Sequence, residues 1–211
     1  MVAYLKPILL KNEELAVEER NVVCAAYKTL CATKRNAWRA VSSIEENSKY
    51  EKFRSDVKVY KAKIETDLKN ICRDVLSIVD GVLFKNASSA ESKAFYMKMK
   101  ADYYRYLGEV CADAELEEVT KKAQESYEEA WKMAEGLSPT HPIRLGLALN
   151  FSVFQYELRK NTKEACKIAK LAYNEGLQGG EQEKGKEAGE IMLLIKENLT
   201  QWSEEINKPE T

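Results

Sequence analysis

Residues 139–156, PTHPIRLGLALNFSVFQY, constrain the fold more than any other stretch of this chain. Pro139 and Pro142 bracket the single histidine, His141. Pro142 suits the first turn of a helix, where its missing N–H has no intrahelical partner to lose. Beyond it, Ile143, Leu145, Leu147, Leu149, Phe151, Val153 and Phe154 fall on nearly every side of a helix. A helix with that distribution is buried all round, so other elements must surround it. Asn150 and Glu157, seven apart, interrupt the apolar surface on one face. A buried amide and carboxylate require partners, and the helix therefore shows one polar stripe to something specific.

The remainder carries no strand-like alternation of useful length; helical periodicity resets at recognisable breaks. The expected helices cover residues 17–47, 51–83, 90–111, 115–135, 142–160, 162–178 and 184–206. Ser88 or Ser89 can cap the helix that begins at Ala90, and Asn161-Thr162 supplies another cap. Gly179-Gly180 reads as a flexible link. Within residues 1–11, Pro7 stands where a helix interior would otherwise be, which argues against a continuous helical arm. Short connections make neighbouring helices antiparallel, so the expected fold is all-α: one domain, residues 1–211, of about eight helices.

Composition narrows the function. Charged residues reach 32% while prolines number four and glycines nine, a balance that favours long solvated helices. A net charge of −1 gives no bulk attraction to nucleic acid or an anionic membrane. No apolar run approaches the ~18 residues of a membrane span, and the opening MVAYLKPILL lacks the small-residue cleavage site of a signal peptide. The five cysteines include no CxxC pair. Cys24 and Cys31 on one helix lie ~10.5 Å apart, too far to bridge. Buried reduced thiols and a cytoplasmic setting are the expectation. One histidine leaves little for a zinc site or a Cys–His pair. Carboxylate pairs, nucleophile–base pairs and phosphate-cradling glycine loops are likewise missing from the sequence, so a non-catalytic protein without metal or cofactor is expected. The sequons at Asn86, Asn150 and Asn198 are coincidental on this reading.

Several polar residues recur at helical spacing. Lys28 and Arg35 are seven apart; Arg105 is seven from Lys98 and followed by Tyr106; Asn198 is four from both Leu194 and Trp202. Taken singly, each has an ordinary explanation as a helix-face charge or a satisfied core group. The strings around them change that. ESKAFYMKMKADYYRYLGEV (91–110), RNVVCAAYK ending at Lys28, KRNAW ending at Trp38, VSSIE ending at Glu45, KENLTQW (196–202) and the stretch 139–156 together resemble the 14-3-3 phosphopeptide-binding family, in order, from Glu18 to Trp202.

The resemblance implies a concave groove lined by these residues. Lys28, Arg35, Arg105 and Tyr106 match the basic pocket that grips a phosphoserine or phosphothreonine. The chemistry suits that role: a phosphate carries roughly −1.5 to −2 charges and three acceptor oxygens, which two guanidinium forks, an ammonium and a phenol O–H can satisfy. Asn150 and Asn198 match the amides that hold the peptide backbone extended. Glu157 and Trp202 match residues contacting the peptide N-terminal to the phosphate, and Leu149, Ile191 and Leu194 match the apolar wall. The implied function is a non-catalytic adaptor in signal transduction that binds phosphorylated client proteins. The alternative is a helical scaffold that binds protein partners independently of phosphorylation.

The chain also departs from the family pattern. Glu190 and Gln201 stand where leucine is usual on the apolar wall, and Ala25 replaces a larger aliphatic residue, which predicts a more polar, roomier groove. The connection within residues 174–189 is shorter than the family's. The sequence begins about where the family's second helix would start, so Val41, Ile44 and Tyr60 lose the cover that a first helix gives across a dimer axis. Either the chain is a monomer, or Val2, Leu5, Ile8 and Leu9 form a shorter apolar arm across a two-fold axis. The expectation favours a homodimer weaker than, or rearranged from, the family's.

Overall fold

In a computed structural model, residues 2–9, 13–179 and 185–206 are described, and every regular element among them is helical. The helices are α1 (Val2–Leu9), α2 (Val17–Glu46), α3 (Arg54–Ile78), α4 (Ala90–Gly108), α5 (Asp113–Ala134), α6 (Pro142–Glu157), α7 (Thr162–Gln178) and α8 (Lys186–Ile206). The chain divides into two compact units. One comprises the residues up to Ala87 together with Tyr106–Val119; the other comprises Ser88–Arg105 and everything from Thr120 onward. Both α4 and α5 contribute to both units.

In the first unit, α2 buries Val23, Ala26, Tyr27 and Cys31, and α3 buries Ile64, Leu68, Cys72, Val75 and Leu76, each set at the helical repeat of three and four. The polar ties between the two helices fix their direction. Tyr27 Oη donates to Asp74 at 2.9 Å, Lys34 to Asp67 at 2.6 Å, Trp38 Nε1 to Glu65 at 2.9 Å and Lys61 to Glu45 at 2.9 Å. Partner numbers fall on α3 as they rise on α2, which requires an antiparallel pair. A short 3₁₀ turn, Ser48–Phe53, joins them. Past Ile78 the chain widens into a π-turn, Val79–Leu83, around Gly81 before a last turn, Phe84–Asn86. Lys69 and Arg73 both reach Glu115 at the start of α5, at 2.5 and 3.0 Å.

The second unit is built around α6. No residue of Pro142–Glu157 is exposed, as its apolar distribution predicts. His141 is its cap: Nδ1 accepts from the Ile143 N–H at 3.2 Å while Pro142 occupies the first turn. The Tyr127 ring on α5 stacks on Phe151 at 5.2 Å and lies against Phe154 at 5.3 Å. Gln155 donates to Gln124 at 2.8 Å, and with these ring contacts it sets α5 antiparallel to α6. Arg144 bonds Glu175 at 2.8 Å and two carbonyls at the end of α5 and beyond, Leu137 at 2.7 Å and Glu135 at 3.2 Å. Lys160, with φ of 54°, turns the chain through the left-handed region into Asn161, whose side chain accepts from the Glu164 N–H and caps α7. At Gly176 a Cβ would lie 3.1 Å from the Met192 thioether, so glycine lets α7 and α8 approach closely.

Some boundaries differ from the sequence expectation. Residues 2–9 are helical with Pro7 inside. The proline removes one backbone donor toward the carbonyl of Ala3, a single lost bond that this short helix absorbs as it packs on α2. Leu9 is buried there. Val2 and Leu5 are half-buried, and the Ile8 side chain lies outside the described residues. The second long helix begins at Arg54 rather than at Glu51, because the turn carries the chain that far. Ser89, not Ser88, caps α4, accepting from the Ser92 N–H at 3.0 Å. Only Cys31 and Cys72 are buried; Cys24, Cys111 and Cys166 are half-buried, and all five are free thiols. Lys11, Gly180 and Lys184 lie outside the described residues.

Candidate functional site

On α4, Lys98, Asp102 and Arg105 occupy positions i, i+4 and i+7, and Glu109 follows at i+11 just past the helix end, so cations and anions alternate along one face. The same helix buries Ala94, Met97, Ala101 and Tyr103, so these charges have been drawn into the protein and must be satisfied there.

In the second unit Asp102 is the hub. Its carboxylate accepts from Lys98 Nζ at 2.8 Å, from Tyr127 Oη at 2.6 Å and from Asn150 Nδ2, which is 2.9 Å from each oxygen. Burial alone would raise its pKa. The Lys98 and Arg105 charges, with the bonds from Lys98 and Tyr127, outweigh burial and hold the carboxyl below the usual carboxylate range. Burial and the adjoining Asp102 push the Tyr127 phenol well above its ordinary value, so it stays a neutral donor. Tyr127 Oη in turn accepts from Arg105 Nε at 3.3 Å, and Arg105 Nη1 reaches Glu157 Oε2 at 3.5 Å. Arg105, 6% exposed, is thus fixed from two sides. Along α8, Ile191 and Asn198 are half-buried, Leu194 is exposed, and Trp202 is buried with its indole stacked on Tyr156 at 5.1 Å. Leu149 on α6 is half-buried beside Asn150.

In the first unit Arg35 holds Glu109 through a two-bond fork: Nε to Oε2 at 2.8 Å, and Nη2 to Oε1. Its guanidinium lies 4.1 Å from the centre of the Tyr106 ring. Arg39 also reaches Glu109, at 3.4 Å. Lys28, two turns before Arg35 on α2, is exposed and makes no ion pair among the described residues. The structure thus brings Arg35 and Tyr106 together in the first unit, and Arg105, Asn150 and Glu157 in the second.

Comparison with known proteins settles the lineage. The 14-3-3 protein family matches residues 1–203. The chain is 44% identical over 216 residues to 14-3-3 protein 2 of Entamoeba histolytica, covering 100% of this chain and 91% of that protein. It is 43% identical over 210 residues to 14-3-3 protein beta/alpha-1 of Oncorhynchus mykiss, covering 97% and 86%. It is also 43% identical over 216 residues to 14-3-3-like protein 2 of Caenorhabditis elegans, covering 100% and 87%. The chain belongs to the 14-3-3 family. Membership supports a role as an adaptor that binds other proteins.

Within this 14-3-3 fold, sequence reasoning passed over Asp102, Tyr127, Arg39 and Glu109. The signal for two of them was present: Lys98, Asp102, Arg105 and Glu109 share one helix face with alternating sign. Tyr127 carried no such signal, because its hydroxyl meets Asp102 only through tertiary packing. Among the described residues no group of His, Cys, Asp and Glu is arranged to hold a metal ion, and no helix is long and apolar enough to cross a membrane.

Proposed function

We propose that this 14-3-3 chain is a cytoplasmic adaptor that captures phosphoserine or phosphothreonine segments of client proteins. Lys28, Arg35, Arg105 and Tyr106 bind the phosphate. Asn150 and Asn198 hold the client backbone extended. Glu157 and Trp202 contact the segment before the phosphate, and Leu149, Ile191 and Leu194 line its apolar side. The observation that carries this reading is the state of the two arginines. Arg35 is locked by its fork to Glu109 and by the Tyr106 ring, and Arg105 by Tyr127 and Glu157. Guanidinium groups immobilised in advance lose little entropy when they bind an anion. Arg39 also reaches the Glu109 carboxylate that Arg35 holds, so two guanidinium groups lie together there.

The reading is tested by titrating a phosphoserine peptide into wild-type protein and single variants. A charge-assisted hydrogen bond is worth about 1.5–3 kcal/mol. Arg35→Ala and Arg105→Ala should therefore weaken binding by about tenfold or more, and Lys28→Glu, which adds repulsion, should do worse than a neutral substitution. Unchanged affinity in both arginine variants would refute the assignment. The second reading, a scaffold indifferent to phosphorylation, draws support from the same contacts: both arginines already hold carboxylates, so their charge is answered without phosphate.

A further inference from the structure

We propose that Asp102 is a positioning residue that fixes the Asn150 amide with its carbonyl outward, so that Asn150 acts as a hydrogen-bond acceptor and reads a backbone N–H of the bound client. The inference rests on the binding role proposed for Asn150 above. An asparagine amide has two ends of nearly the same shape and opposite chemistry, one donating and one accepting. Which end faces a ligand decides whether the residue reads a backbone N–H or a backbone carbonyl.

Here the partner decides. Asn150 Nδ2 lies 2.9 Å from both oxygens of Asp102. Turning the amide over would set its carbonyl oxygen against an ionised, buried carboxylate, pressing lone pairs on lone pairs where water cannot screen them. Asp102 cannot turn away to relieve this. Lys98 Nζ and Tyr127 Oη hold it at 2.8 and 2.6 Å, and the acid is buried at 7% exposure. Nor can it become a donor by taking a proton at neutral pH, given the two cations that flank it. Asn150 therefore spends its donor inward, and its Oδ1, on a half-buried residue, is the atom left for a ligand. The same carboxylate reaches Arg105 through Tyr127, whose Oη donates to Asp102 and accepts from Arg105 Nε. One buried acid thus sets the orientation of two residues assigned to the client.

The test is an ester scan. A phosphoserine peptide is synthesised as a set in which one backbone amide near the phosphoserine is replaced by an ester, deleting a single N–H while retaining every side chain. Affinities are measured for wild type, Asn150→Ala, Asp102→Asn and Lys98→Met/Asp102→Asn. The double variant removes both charges of the Lys98–Asp102 pair together, so that Lys98 is not left without its counter-ion; circular dichroism confirms that each protein is folded. In wild type one ester should weaken binding by about three- to tenfold, the value of one neutral hydrogen bond. In Asn150→Ala that penalty should disappear. In the Asp102 variants, whose neutral partner lets the amide turn, it should shrink to less than about half the wild-type factor. An ester penalty of equal size in wild type and in a folded Asp102 variant overturns the proposal, as does the absence of any position whose penalty depends on Asn150. The unmodified parent peptide serves as a separate arm. Its binding as tightly as the phosphorylated parent would end the phosphate reading, while the ester penalties, compared between peptides with identical side chains, would still report on Asp102.

Discussion

At the residue scale, a charge buried inside this bundle persists only where its neighbours answer it, and Asp102 shows how closely. Losing a partner from a fully buried pair costs about 3–5 kcal/mol; the Lys98 side chain is 21% exposed, so Asp102→Asn, which leaves it without its counter-ion, should lower stability at pH 7 by less than that. The pH dependence has a definite sign. The folded carboxyl titrates below its unfolded counterpart, so the stabilisation it brings is fully present above the unfolded value of about 3.9 and fades as pH falls through the folded value. Urea midpoints should therefore differ between wild type and Asp102→Asn at pH 7 and converge below the carboxylate range; a difference that persists undiminished in acid would contradict the ionic account. Asn150 and Glu157 were legible as a polar stripe because they break an otherwise apolar helix. Asp102 was not, because on a helix as charged as α4 an i, i+4 ion pair reads as a solvated surface feature until its burial is known.

At the element scale, the helices with the strongest one-sided or all-round apolar pattern lie where their sequences place them. Thr162–Gln178 begins and ends at the expected residues, and no residue of α6 is exposed, although its face carrying Gly146, Leu149, Asn150, Val153 and Glu157 is only half-buried. What escaped the pattern was irregularity within helices. The π-turn at Val79–Leu83 and the 3₁₀ turn at Ser48–Phe53 leave helical spacing almost intact, so periodicity runs straight through them. α8 carries the clearest specificity prediction. Glu190 and Gln201 are exposed on it, and Glu190 pairs with Lys186, an exposed partner at 3.9 Å that holds it weakly. A phosphopeptide array should show little selection for apolar residues C-terminal to the phosphate. Glu190→Leu/Gln201→Leu should restore that selection, with a gain of about threefold to tenfold for leucine-containing peptides, in line with burying one aliphatic side chain at a partly open site. Wild type that already prefers leucine or isoleucine there would show that these positions do not face the client.

At the scale of the whole molecule, assembly turns on the apolar residues of the first unit. Ile44 and Tyr60 are exposed and Val41 is half-buried, while α1 packs on α2 of its own chain and buries Leu9. An arm already engaged at home has less apolar surface to offer a second copy. The expectation is a homodimer that buries less than the about 1,200–2,000 Å² of a stable interface and so dissociates on dilution. Light scattering coupled to size exclusion should show the mass falling toward that of one chain on dilution, and a dimer that survives at nanomolar concentration would contradict it. Assembly sets avidity, since two linked pockets can engage two phosphosites on one client. Phosphate recognition itself is tested by one calorimetric titration: a single arginine-containing peptide, with and without phosphate on one serine, titrated into wild-type protein in the same buffer. The phosphorylated form should bind at least about a hundredfold more tightly, from two or more charge-assisted contacts; equal affinity for the two forms would contradict a phosphate-binding role.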